Sequence, residues 1–377
     1  MSLRIRLFCH SIVSDWNHGN AHFLRGIAAE LQARGHDVLA LEPEASWSLT
    51  NLLADAGQGA IEAFYLQFPA LKSKTYPDDA PDLDELLDGV DIAIVHEWNS
   101  PDLIHKIGAY RRSHGQLRIF FHDTHHRAVT APAELNRNDL TDYDGILVYG
   151  MALVPPYERM GWRSELHVWH EAADVRVFQP MPDVPKTGDL VWVGNWGDDE
   201  RTAELERFLI TPAEQLGLKT QIFGVRFPQQ AVTRLAQAGI EYGGWIANYR
   251  VPNVFARHRV TVHVPRGPYL RQLPGIPTIR PFEAMACGIP LISAQWHDSE
   301  GLFREGTDFV CAETGEETKK LLTDILSDSD MAESLARYGR ETILARHTCG
   351  HRVDQLLEIY DGVRPAKTGV ELASTSI

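Results

Sequence analysis

Short apolar runs of strand length recur along the chain, and most are followed by a segment with helical periodicity. Residues 3–9 read as a buried strand, 20–34 as a helix carrying Phe23, Leu24, Ile27 and Leu31, and 38–41 as the next strand. Gly35 ends that helix, and connections this short make a right-handed βαβ unit the natural arrangement. Further strands are predicted at 92–96, 118–122, 146–149 and 167–169, which gives an α/β domain with a mostly parallel sheet. Between Asp174 and Gly188, the prolines Pro180, Pro182 and Pro185 interrupt all periodicity, as a hinge would. The pattern then restarts: a strand at 190–193, a helix at 202–216 that Pro212 is expected to kink or end, a strand at 220–224, helices at 229–238 and 251–257, and strands at 260–264 and 291–293. The segments 317–326, 331–346 and 353–360 read as helices.

At 377 residues one hydrophobic core is not enough, and two domains are the expectation. The boundaries fall at 1–175 for an N-terminal Rossmann-like domain on the acceptor side and 176–345 for a C-terminal Rossmann-like domain. A C-terminal helix at 346–364 and a small, polar, disordered tail at 365–377 follow. Two such domains joined by a hinge enclose a cleft, and ligands bind at the carboxyl edges of parallel sheets.

The composition, 44% hydrophobic and 23% charged, is that of a soluble globular protein. Lys plus Arg number 36 against 51 Asp plus Glu, a formal charge of −15, so binding to a nucleic-acid backbone is not expected. Any phosphate site must be local. Cys9, Cys287, Cys311 and Cys349 are scattered without CxxC spacing, which argues against a zinc site or a disulfide framework and for a reducing, cytoplasmic setting. The apolar run at the N-terminus is too short for a signal peptide, and no run approaches the roughly 18 residues needed to span a bilayer. Peripheral contact with a membrane stays open.

The richest segment is PGIPTIRPFEAMACGIPLIS, residues 274–293. Pro281 suits the first position of a short helix and Gly288 its C-terminal stop, so the loop aims a helix N-terminus into open space. Free N–H groups and the positive end of the dipole make such a place an anion site. Thr278 and Arg280 stand there, and a cation at that end needs a ligand phosphate or a protein carboxylate as partner. Glu283, about one turn further in, could accept hydrogen bonds from paired sugar hydroxyls, or it is a capping acid. Asn17, Gly19 and Asn20, in the loop before the first helix, form the counterpart in the first domain; Gly19 permits close backbone approach, or it marks a tight turn with Asn20 as N-cap. The lack of GxGxxG rules out the dinucleotide fingerprint.

Other candidates follow predicted strands. His122, Asp123 and His126 belong to HDTHH, where a histidine could carry a proton or bind a sugar hydroxyl and Asp123 could fix a ring tautomer. The spacing lacks the helical pair of zincins, so no metal is expected. His96, in HEWN, either lines the same cleft beside Trp98 or is a satisfied core histidine. Gly194, Asn195 and Arg201 stand in VGNWGDDER, in which Asp198 and Asp199 read as helix-capping acids rather than metal ligands. Arg226 and Trp245 sit at two more strand ends, suited to a diphosphate and a base.

Together PGIPTIRPFEAMACGIPLIS, VGNWGDDER, ADVRVFQP and FHDTHHR resemble a retaining glycosyltransferase of the GT-B fold, in the family 4 group and nearest its CgeB-like, spore-maturation branch. The resemblance runs from His10 to about Tyr360. It implies two Rossmann-like domains with parallel sheets facing a central cleft, and a nucleotide-diphosphate sugar as co-substrate with no other cofactor. It assigns the ribose-holding carboxylate to Glu283, a sugar contact to His122, and a place near the diphosphate or acceptor to Gly19. Two departures stand out. The superfamily often has an acid eight positions before the helix Glu, where this chain has Gly275, and Asn195 stands near an expected diphosphate-clamping Arg. The reading is a metal-independent transferase with an unassigned acceptor, whether saccharide, lipid, protein or small molecule. The rivals are a nucleotide-sugar epimerase, for which only Glu97 and Asp123 offer cleft acids, and a non-catalytic binding or assembly protein.

Overall fold

A computed structural model describes residues 2–197 and 200–363. It contains two all-parallel sheets. The first, in the order β3-β2-β1-β4-β5-β6-β7, is built from β1 (Arg4–Phe8), β2 (Asp37–Pro43), β3 (Ser73–Tyr76), β4 (Ile92–His96), β5 (Arg118–Asp123), β6 (Gly145–Val148) and β7 (Glu165–Val168). The second, in the order β10-β9-β8-β11-β12-β13, is built from β8 (Gly188–Val193), β9 (Thr220–Phe223), β10 (Glu241–Tyr242), β11 (His258–His263), β12 (Leu291–Ala294) and β13 (Val310–Ala312). Helices cover both faces, so central strands such as β4 and β6 are buried at every residue. This is the expected GT-B architecture.

Each sheet separates two apolar layers. In the first domain, Ile5, Leu7, Phe120 and Leu147 pack towards the helix Ala21–Ala33, and Phe8, Val95, Phe121 and Val148 towards the opposite layer. The chain leaves this domain through residues 169–187 and returns beside that crossing. Ala173 donates its N–H to His347 O at 2.9 Å, and Cys349 donates to Ala173 O at 3.0 Å. The last helix, Cys349–Gly362, therefore packs on the first domain, where Val353 and Leu356 join the core of Ile5 and Leu31.

Two local expectations need correction. Pro281 is not the first residue of its helix: Ile279–Cys287 begins two residues earlier behind Thr278, which costs nothing because the first-turn N–H groups have no helical partner. Gly288 ends it as expected, at φ 65°. Nor does Pro212 end its helix. A π-helical stretch, Glu206–Ile210, precedes Thr211–Leu216 and makes room for a ring that cannot donate to the previous turn. The tail expected to be disordered and the Asp198–Asp199 pair lie outside the described residues.

Candidate active site

The carboxyl ends of both sheets open onto one cleft of about 450 Å³. From the first domain, the loop after β1 supplies Asn17, His18, Gly19 and Asn20, that after β5 supplies Thr124, His125 and His126, and the ends of β6 and β7 supply Tyr149 and Glu171. From the second domain come Gly194, Asn195 and Arg201 after β8, Arg226 after β9, Trp245 after β10, Arg266 after β11, and Thr278, Ile279 and Arg280 at the start of the short helix. Gly19 lies directly opposite that helix, since a Cβ on it would stand 4.0 Å from Ile279 Cγ2.

The second-domain wall is cationic. Arg201 donates to Val264 O at 2.8 Å and to Asn195 O, and its guanidinium lies 5.0 Å from the Trp192 ring centroid. Burial lowers its pKa to about 9, and repulsion from Arg266 and Arg280 adds to the shift. Backbone carbonyls thus fix a charge that two further arginines reinforce. Arg266 pairs with Glu200 at 3.1 Å. Arg226 holds φ at 60°, a left-handed conformation uncommon for a long side chain and frequent at functional sites.

Arg280 has found a protein carboxylate, Glu283, as its partner. Glu283 is fully buried and also accepts from Asn248 Nδ2 at 2.7 Å and His22 Nδ1 at 2.8 Å. Burial alone would raise its pKa, but Arg280 and the His22 and Asn248 donors hold it below the ordinary carboxylate value. His22 Nε2 accepts the Asp174 N–H at 2.8 Å, which leaves the ring proton on Nδ1. Glu283 therefore joins the two domains beneath the cleft and does not line its wall, contrary to the position expected of a ribose-binding acid.

The same correction applies to His122 and Asp123. The pleat turns His122 inward, where Phe23, His96 and Trp169 surround it at centroid distances of 5.7, 5.3 and 5.0 Å, and burial pushes its pKa down to about 3. Asp123 points to the other layer and accepts from Tyr157 Oη at 2.6 Å and His125 N at 2.8 Å. His96 is a core histidine: its Nε2 lies 2.9 Å from Asn20 Nδ2 and 3.0 Å from Thr124 Oγ1, so it positions two wall residues while Trp98 lines the cleft. Asn20 stands at the N-cap, but its side chain serves this network and not the helix. His126 is in the wall, with Nδ1 2.8 Å from Thr130 Oγ1. Glu97 is bound to Arg127 at 2.7 Å and to Thr124 N at 3.1 Å, so neither acid considered for an epimerase lines the cleft.

The two walls touch at the rim. Asn195 donates to Asn17 Oδ1 at 2.6 Å, and Trp245 Nε1 and Asn248 N donate to Asp15 at 3.1 and 2.9 Å. Arg266, Glu171, His18 and His125 are not singled out by the sequence, although Arg266 and Glu171 stand two residues past predicted strands and His125 lies inside HDTHH. Among the described residues no group of three His, Cys, Asp or Glu side chains is arranged to hold a metal ion, and no helix is long and apolar enough to cross a membrane.

Residues 201–358 match the family described as glycosyl transferase-like. No curated protein matches the chain in sequence. Among solved structures, sucrose-phosphate synthase from Thermosynechococcus elongatus is 14% identical, with 95% of this chain and 98% of that one covered and a TM-score of 0.64. Anabaena Alr3699/HepE in complex with UDP and glucose is 13% identical over 96% of this chain and 100% of that one, TM-score 0.67. An alpha-glucosyltransferase in complex with UDP and a 13-mer DNA containing an HMU base is 10% identical over 96% and 100%, also with TM-score 0.67. At such identities the structural likeness is one of fold. Together with the family match it bears out the GT-B architecture and the expected enzyme class, a glycosyltransferase.

Proposed function

We propose that this protein transfers a sugar from a nucleoside diphosphate sugar, with retention of configuration and without a metal ion, to an acceptor that enters against the first domain. The observation that carries this reading is the cationic wall: Arg201, Arg266 and Arg280 gather around the N-terminus of the helix Ile279–Cys287, facing the Gly19 loop. A departing diphosphate there meets fixed donors and charge without reorganisation, the stabilisation that matters most for such a leaving group. Trp245 and Arg226 line the same cleft, suited to the base and to the diphosphate respectively. HepE and the alpha-glucosyltransferase, which share the fold, are bound to UDP, and this supports a nucleotide donor. Retention and the CgeB-like branch rest on the motif resemblance.

The four unpaired thiols are in keeping with a cytoplasmic protein. One neighbour holds DNA, so the fold is compatible with a nucleic-acid acceptor, but the formal charge of −15 favours a different one.

Turnover with a panel of UDP-, GDP- and dTDP-sugars tests the proposal. Released nucleoside diphosphate, an unchanged rate in EDTA and a product of unchanged anomeric configuration by NMR are expected. Epimerised sugar without transfer would replace this reading by an epimerase, and binding without turnover by a non-catalytic protein.

A further inference from the structure

Glu171 lies just beyond β7, where the chain leaves the first domain. It lines the cleft yet is only 5% exposed, and its Oε2 has no hydrogen-bond partner. Buried polar atoms almost always have one, so an orphan aimed into a ligand cleft points to the ligand. Burial and the nearby Glu283 carboxylate raise its pKa well above the ordinary value, against a weaker opposing pull from Arg280. Burial thus favours its protonated form, a carboxylic acid with one O–H to give and oxygens to accept.

Two histidines of the same cleft share this character. His125 Nδ1 and His126 Nε2 are also buried without hydrogen-bond partners, His126 Nε2 lying 3.9 Å from a Glu200 carboxylate oxygen, and burial, with repulsion from Arg127 and Arg266, lowers the two rings to about 2 and about 4. The His126 ring stands 5.5 Å from that of Tyr269, whose hydroxyl bonds Tyr149 Oη at 2.9 Å. A neutral acid and neutral imidazoles both donate and accept. A phosphate only accepts, whereas a sugar hydroxyl does both, and the aromatic rings suit the C–H faces of a pyranose. Groups that both donate and accept thus share the cleft with the arginines of the second domain.

We infer that Glu171, with His125 and His126 of the same cleft wall, reads the hydroxyl groups of an uncharged sugar ring seated in the first-domain half of the cleft. The ring is the sugar of the donor or that of a saccharide acceptor. This rests on the nucleotide-sugar reading above for its donor branch alone.

Calorimetry on the wild type, Glu171→Ala and Glu171→Gln separates the sources. In one arm each protein is titrated with UDP, GDP and dTDP and with their glucose, galactose and mannose derivatives. In the other, free mono- and disaccharides are screened by saturation-transfer NMR without nucleotide. For a donor sugar, Glu171→Ala weakens nucleotide-sugar binding by about tenfold or more and leaves nucleoside diphosphate binding unchanged, and the Gln variant recovers part of the loss. For an acceptor, saccharide signals seen with the wild type vanish in Glu171→Ala while both nucleotide affinities hold. Unfolding temperatures confirm that the variants are folded. Equal losses for diphosphate and nucleotide sugar, or no sugar-dependent difference in either arm, would overturn the inference. A wild type that binds saccharides but no nucleotide would sink the donor reading while sparing this subsite.

Discussion

At position 275 the backbone φ is 88°, and a Cβ there would lie 1.9 Å from Ser299 Oγ. The acid often found at this point in the resembling superfamily has no room in this chain. Gly275→Ala should cost about 1–3 kcal/mol in urea unfolding, and Gly275→Glu no less, without a gain in turnover. A neutral Gly275→Ala would mean that the loop relaxes easily. At Glu283 the expected effect is larger. Removing its carboxylate by Glu283→Ala strands Arg280 and two further donors, a loss of about 3–5 kcal/mol in the same measurement. If stability held and only nucleotide affinity fell, Glu283 would be a ribose ligand after all. The sequence pointed to the right strand ends and to most of the wall residues, but His96, His122, Asp123 and Glu283 turn away from the cleft. HDTHH marks the ligand edge; the pleat decides that His122 and Asp123 turn into opposite layers and that Thr124, His125 and His126 reach the wall. Glu171 gave no motif to recognise, only its place after a strand.

Among elements, strands in the middle of each sheet were legible because burial on both faces leaves a continuous apolar run. The edge strands β3 and β13 were not, Ser-Lys-Thr-Tyr being half-exposed, and β10, Glu241–Tyr242, is two residues long and shows only as the strand end before Trp245. The last helix was expected, but its return to the first domain is a tertiary fact without a local signal. Gly26 makes that return possible, since a Cβ there would meet Cys349 Sγ at 2.4 Å and Asp174 Cβ at 2.9 Å. Gly26→Ala should therefore push the last helix and the crossing segment away from the helix Ala21–Ala33, costing about 1–3 kcal/mol by urea unfolding. An unaffected midpoint would show that this packing is loose. The arginine wall, assembled from the ends of three elements, makes a separate prediction. Arg266→Ala should weaken the bound nucleoside diphosphate about ten- to hundredfold while sparing the parent nucleoside, compared by calorimetry. Equal losses for both would place Arg266 at the base.

Across the whole molecule, burial keeps an unusual number of histidines neutral. His18, His122 and His263 fall from 6.5 to about 3, His125 to about 2, and His10 and His126 to about 4. Below pH 6.5 the unfolded chain binds protons that the fold refuses. The stability these rings contribute is complete above that pH and is lost as the pH falls toward their folded values. Three acids act in the opposite direction: Glu97, Asp123 and Glu171 are raised by burial, so they favour the fold on acidification and lose that contribution as pH rises through their folded values. They are outnumbered. Between pH 7 and pH 5 each buried ring contributes at most about 1.4 kcal/mol per pH unit, so even partial cancellation leaves a fall in stability. Scanning calorimetry should show the unfolding temperature dropping over this interval, and His122→Phe, which removes one proton-refusing ring from the interior, should flatten the slope. A temperature that rises on acidification would mean that the raised acids, and not the imidazoles, set the pH response.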